Sequence, residues 1–200
     1  MARRDRLRAD VRAIVERDPA TERPLEAVFT SPGLWARWTH RFTSWLWARQ
    51  HRLLARVLGT LASLLTGVEL HPGADIGERV VIDHGHGVVV GETATIGDDV
   101  VCYHGVTLGS RSGGHGAPPN VDDRAGRHSA VRRHPTVGDG VTLGARATLL
   151  GPIEVGDGAA IGAGAVVVDD VPPDETVVGV PAAPTGEDRD DRSPPRCRRS

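Results

Sequence analysis

Aromatic side chains make up only 4% of this 200-residue sequence, so its interior has to be built mainly from aliphatic residues. The two cysteines, Cys102 and Cys197, are too few for a disulfide framework and lack metal-ligand spacing. No apolar run approaches the roughly 20 residues that span a bilayer; the stretch Leu53–Leu65 is shorter and contains Arg56. The positively charged segment Met1–Arg8 is not followed by the apolar stretch of a signal peptide. Neither sign of charge dominates, with 24 basic against 26 acidic residues and a net charge of −2. That balance argues against nucleic-acid and membrane-surface partners. A cytoplasmic protein of one or two domains is expected.

What the sequence does have is 25 glycines and a six-residue beat. Aliphatic residues recur at Val137, Leu143, Leu149, Val155, Ile161 and Val167, and Gly follows at Gly138, Gly144, Gly156 and Gly162. Four residues after each aliphatic comes a small or β-branched side chain: Val141, Ala147, Ile153, Ala159, Ala165, Val171. The beat also runs through Ile76 and Ile82, then Val90, Ile96, Cys102 and Leu108. A hexad fits neither the 3.6 period of a helix nor the two-residue period of a strand. It fits one flat face of a parallel β-helix, with the aliphatic pointing inward and the following Gly at a corner that can require φ > 0. About a dozen hexads make roughly four three-sided coils, each burying its apolar row against the next. Six in-phase hexads disfavour a β-sandwich with glycine turns. Cys102 falls on an inward position and reads as a small core residue.

Residues 1–66 follow another rule. Leu7, Val11, Ile14 and Val15 have helical spacing and stop at Asp18-Pro19. Ser31-Pro32 starts a second helix bearing Leu34, Trp35, Trp38, Phe42, Trp45 and Leu46, a stripe suited to core or subunit contact rather than ligand stacking. A third spans Leu53–Leu65 and ends at Thr66-Gly67. The β-helix is expected over 67–183, with an inserted loop at about 109–135, and a Pro-, Asp- and Arg-rich disordered tail over 184–200.

The beat fails twice, and polar residues stand at both places. Ile82 to Val90 is eight residues, with the excess in Asp83-His84-Gly85-His86-Gly87; Leu108 to Val137 carries a long polar stretch ending in Arg132-Arg133-His134-Pro135. Interruption of a regular scaffold at its histidines and acids is the pattern of a grafted active site. Glu69 precedes His84 by fifteen residues, near one coil, and stacked strands lie about 4.8 Å apart. A carboxylate one coil away would orient and activate the imidazole; taken singly, His84 also reads as a polar corner residue.

The segment Asp83–Thr93, with its Asp-His and Gly-Val-Val-Val-Gly-Glu-Thr, resembles the signature of serine O-acetyltransferases. So do Arg17-Asp18-Pro19-Ala20, Gly67–Pro72, Gly105–Gly109, Arg133-His134-Pro135 and Val178–Ala182, and the resemblance covers residues 7–182. It implies a left-handed parallel β-helix of hexapeptide repeats behind a short helical region. The implied reaction joins acetyl-CoA and L-serine to O-acetyl-L-serine and CoA, the first step of cysteine biosynthesis, by direct attack without an acyl-enzyme. His84 would be the general base, Glu69 its acidic partner and His134 the second active-site histidine. Asp18 and Asp83 would hold the substrate ammonium, and Arg133 would clamp its carboxylate. The co-substrate would run beside Gly109, Ser110, Ala145 and Ala163; no metal is expected, and a homotrimer or dimer of trimers is.

Three departures from the family pattern bear on these expectations. The loop after Leu108-Gly109 has about fifteen additional residues, through Asn120, Asp122, Asp123 and His128, which leaves other small hydroxyl or amine acceptors open. Ala183 and Pro184 stand where a basic residue usually follows the closing motif. The ending Cys197–Ser200 lacks the terminal Ile that docks into cysteine synthase, so that complex is not expected. Two further readings are a β-helical carbonic anhydrase, using His84, His86 and His104 on zinc, and a non-catalytic scaffold.

Overall fold

The computed structural model describes residues 3–18, 20–21, 23–111 and 132–184. Four helices precede the coils: α1 (Arg3–Arg17), α2 (Pro24–Thr30), α3 (Pro32–Ala48) and α4 (Arg52–Thr66). The sequence reading expects α1, α3 and α4; α2, seven residues with Pro24 in its first turn, is too short to show a helical period. Gly67, at φ 73, ends α4 and turns the chain into the first coil.

Among the described residues fifteen short strands follow, arranged as three sheets that form the sides of a prism. The first holds β1 (Val68–Leu70), β4 (Val88–Val90), β7 (Thr107–Gly109), β10 (Thr148–Leu150) and β13 (Val166–Val167). The second holds β2 (Asp75–Ile76), β5 (Thr95–Ile96), β8 (Thr136–Val137) and β11 (Glu154–Val155). The third holds β3 (Val81–Asp83), β6 (Val101–Tyr103), β9 (Thr142–Leu143), β12 (Ala160–Ile161), β14 (Thr176–Val178) and β15 (Ala183–Pro184). All pairings are parallel except β14 with β15. The fold is a left-handed β-helix of hexapeptide repeats with five coils rather than the expected four, because Leu70 on β1 already keeps the six-residue step to Ile76 and Ile82.

The beat is the core. Leu108, Leu143, Leu149, Val141, Ala147, Ala159 and Ala165 are fully buried, and Cys102 lies among them. Each large aliphatic contributes about 1.5–3 kcal/mol through burial. Burial pushes the Cys102 thiol up to about 12, which makes it an inert packing group.

The glycines after the aliphatics are not where the left-handed backbone falls, contrary to the corner reading. Positive φ occurs two residues further on, at Gly140, Gly158, Gly164 and Arg146. The reason for Gly138 is stacking: a Cβ there would run into Asp157 of the next coil, and one on Gly97 into Asp139. These aspartates form a ladder. Asp139 accepts the Asp98 N–H at 2.7 Å across the loop, and Asp157 accepts the Asp139 N–H at 2.8 Å, 18 residues away.

The helices lie against the first coils through small and polar residues. In α3 the buried face is Gly33, Leu34, Ala36, Arg37, His40, Thr43 and Leu46, whereas Trp35, Phe42 and Trp45 are about half exposed. The aromatic stripe is therefore not the face that meets the coils: a Cβ on Gly33 would already overlap Ile82, so only small residues allow this approach. Arg37 donates to the Gly77 carbonyl at 2.6 Å. In α4 only Ala55 and Thr66 are buried, and Leu53, Val57, Leu61, Leu64 and Leu65 form an exposed row. Among the described residues no helix is long and apolar enough to cross a membrane.

Candidate active site at two edges of one face

The eight-residue interval between Ile82 and Val90 is the corner that leads from the third sheet into the first. Three positive φ values in four residues, His84 at 55, Gly85 at 37 and Gly87 at 78, let the chain bulge there. A Cβ on Gly85 would lie 2.7 Å from Val68, so the bulge also needs glycine for space. His84 emerges from it with a side chain 78% exposed, its Nε2 3.9 Å from Asp83 Oδ2. That spacing is an electrostatic contact, longer than a hydrogen bond. The His104 ring of the next coil stands 6.4 Å away, edge to face.

Asp18 joins this edge from the end of α1. Its Oδ2 accepts the Thr21 hydroxyl at 2.6 Å and its Oδ1 the Ala20 N–H at 2.8 Å. The Thr21 and Ala20 hydrogen bonds hold its carboxyl below the usual carboxylate range, and the charge of His84 pulls in the same direction. An exposed imidazole beside two carboxylates thus lies at this edge. Glu69 stands on β1, exposed and in register with Val89. Among the described residues no hydrogen bond or ion pair joins it to His84.

The opposite edge of the same sheet holds the second group. Gly91-Glu92-Thr93 follows β4, and Arg133-His134 leads into β8, 41 residues away. The Thr93 hydroxyl organises both, accepting the N–H of Arg133 at 2.9 Å and of His134 at 3.2 Å. The Thr93 N–H donates to His134 Nδ1 at 3.2 Å, and Thr93 Oγ1 lies 2.8 Å from the same nitrogen. Nδ1 is therefore an acceptor, and the neutral ring carries its proton on Nε2. Burial, then the neighbouring Arg133, holds this imidazole below its ordinary pKa. The ring lies against Gly91, where a Cβ would occupy its place. Arg133 Nη2 pairs with Glu92 Oε2 at 2.8 Å, which leaves the other guanidinium donors for a second carboxylate. His71 of the coil below is shifted in the same direction as His134, again mainly by burial.

The structure places the site residues expected from the sequence at two edges of the face. His84, Asp83, Asp18, Ala145 and Ala163 belong to one edge; Arg133, His134, Gly109 and Ser110 belong to the other. Gly109 lies at the end of β7 and accepts the Gly151 N–H at 3.0 Å, whereas Ala145 accepts the Gly164 N–H at 2.8 Å before β10. The expected run of Gly109, Ala145 and Ala163 along one coil edge is corrected accordingly, because three corners intervene in every coil. Glu92 and Thr93 were missed as site residues, although the Gly-Glu-Thr element contains them. Among the described residues no three His, Cys, Asp or Glu side chains gather closely enough to hold a metal ion. The loop residues Asn120, Asp122, Asp123 and His128, and Cys197 with the rest of the tail beyond 184, lie outside the described residues.

The site stands on a regular hexapeptide prism with histidines, acids and a guanidinium at its corners, the architecture of hexapeptide-repeat proteins. The family model for bacterial transferase hexapeptide (six repeats) matches residues 134–169. The serine acetyltransferase of Mycobacterium tuberculosis is 51% identical over 181 residues, covering 90% of this chain and 72% of that protein. The structure of Neisseria gonorrhoeae serine acetyltransferase in complex with serine superposes with a TM-score of 0.79 at 41% identity, over 90% of this chain and 68% of that one. Brucella abortus serine acetyltransferase in complex with coenzyme A gives 0.81 at 38% identity, over 92% and 68%. Across such matches the chain spans 64% to 76% of the relative's own length. The chain belongs to the serine acetyltransferase family, whose members are acyltransferases.

Proposed function

We propose that this chain transfers the acetyl group of acetyl-CoA to the hydroxyl of L-serine, at sites formed where the His84 edge of one subunit meets the His134 edge of the next. The observation that carries this reading is the division itself: the base with its carboxylates stands at one edge of a face, and the donor imidazole with its guanidinium at the other. A closed ring of subunits joins such unlike edges. The exposed apolar row of α4 supports a multimer, and a trimer or dimer of trimers is the assembly we infer.

In the reaction, His84 takes the serine hydroxyl proton as the oxygen attacks the thioester carbonyl. Asp18 and Asp83 hold the ammonium, and Arg133 the carboxylate, in a bidentate pair. Glu69 acts on His84 as the orienting acid once the neighbouring subunit is in place. His134, neutral with its proton on Nε2, donates to the oxygen that becomes negative. Collapse breaks the carbon–sulfur bond, and the proton on His84 passes to the departing thiolate. O-acetyl-L-serine is a precursor for cysteine, and a cytoplasmic location accords with the use of acetyl-CoA. Ala145 and Ala163 permit close approach of the pantetheine arm on one subunit, Gly109 and Ser110 on its neighbour.

The test is thiol release from acetyl-CoA against a panel of amino alcohols and amino acids. Serine should be preferred by a wide margin. Equal rates with threonine, homoserine or an amine acceptor would overturn the assignment of serine.

A further inference from the structure

Five stacked corners share a left-handed backbone, and three of them, Arg79, Asp99 and Asp174, carry charged side chains rather than glycine. Arg79 has φ 56 and Asp99 has φ 59, and Gly140 and Gly158 follow them in the same column. Such backbone is strained for residues with a Cβ. The Arg79 and Asp99 side chains reach the last turn of α1. Arg17 donates to Asp99 Oδ1 at 2.8 Å and to the Arg79 carbonyl at 3.0 Å. Arg79 donates from Nε to the same Asp99 oxygen at 2.8 Å and from Nη2 to Glu16 at 2.9 Å. Four alternating charges thus tie residues 16 and 17 to two successive coils. Their side chains are 26–47% exposed, and pairs so exposed contribute little to stability. Glu16 and Arg17 lie immediately before Asp18, whose carboxylate is close enough to His84 to interact with its charge.

We propose that Arg79 and Asp99 are positioning residues that latch the end of α1 so that Asp18 is presented to His84 and to the substrate ammonium. This rests on the serine-acetylating reading above. Glycine is the informative replacement, because it suits the left-handed backbone and removes only the latch. Arg79→Gly and Asp99→Gly should each raise KM for serine about tenfold, leave KM for acetyl-CoA unchanged, and leave the melting temperature unchanged or higher. In NMR spectra of ring-labelled histidine, the His84 signal should move in both variants as it moves in Asp18→Asn. Unchanged serine KM together with an unmoved His84 signal would overturn the latch. If the unsubstituted protein releases no thiol with serine, the functional reading fails alone, and the His84 signal still decides the latch.

Discussion

The His134 ring packs against Gly91, and the residue two positions on, Thr93, holds its Nδ1. A short turn thereby sets both the place and the tautomer of an imidazole 41 residues away. Gly91 needs no unusual backbone; it is glycine for the sake of the ring. Gly91→Ala should displace His134 and lower kcat by about 10²-fold, with little change in thermal stability. Steady-state kinetics beside a melting curve checks this, and a fully active alanine variant would remove His134 from the proposed site.

Complementation tests the split between edges. His84→Ala and His134→Ala should each lower kcat by roughly 10²–10⁴. Co-refolded or co-expressed in equal amounts, the two should recover about a quarter of wild-type activity, since a heterologous ring pairs an intact His84 edge with an intact His134 edge at random. No recovery in confirmed mixed oligomers would mean that each chain closes its own site.

Arg133 is already paired with Glu92, so the expected role in clamping a carboxylate depends on its remaining donors. Arg133→Lys replaces a planar fork with a point charge. It should raise KM for serine by about tenfold and leave KM for acetyl-CoA nearly unchanged. The opposite pattern would assign Arg133 to the co-substrate.

Acid should weaken the fold through His40. Burial, then the nearby Arg37, pushes its imidazole down to about 3 from an ordinary 6.5. Between those values the unfolded chain takes up a proton that the folded chain does not, so stability is full above about pH 6.5 and falls as pH falls. The loss from His40 alone is on the order of 2 kcal/mol by pH 5. His71 and His134, shifted the same way, add to the slope. His40→Leu should show a smaller drop in melting temperature between about pH 7.5 and pH 5 than the natural protein. Equal drops would mean that His40 is protonated in the fold.

The sequence by itself determined the prism. A residue one coil away always recurs at a constant step, so Leu143, Leu149 and Ile161 announce an inward row without any knowledge of long-range contacts. The two failures of the beat marked the corners where His84 and His134 stand, because an extra residue in a stacked coil has nowhere to go but outward. Which of those corners are neighbours was decided only in three dimensions. The sequence does not show that Gly109 and Ala145 lie on opposite edges of a face, since that follows from counting corners around a closed turn. Nor does it show that Glu92 meets Arg133, or that Asp18 is brought to His84 by Arg17, Arg79 and Asp99. Those contacts join segments 41 to 82 residues apart, and they exist because stacking places distant corners in one column.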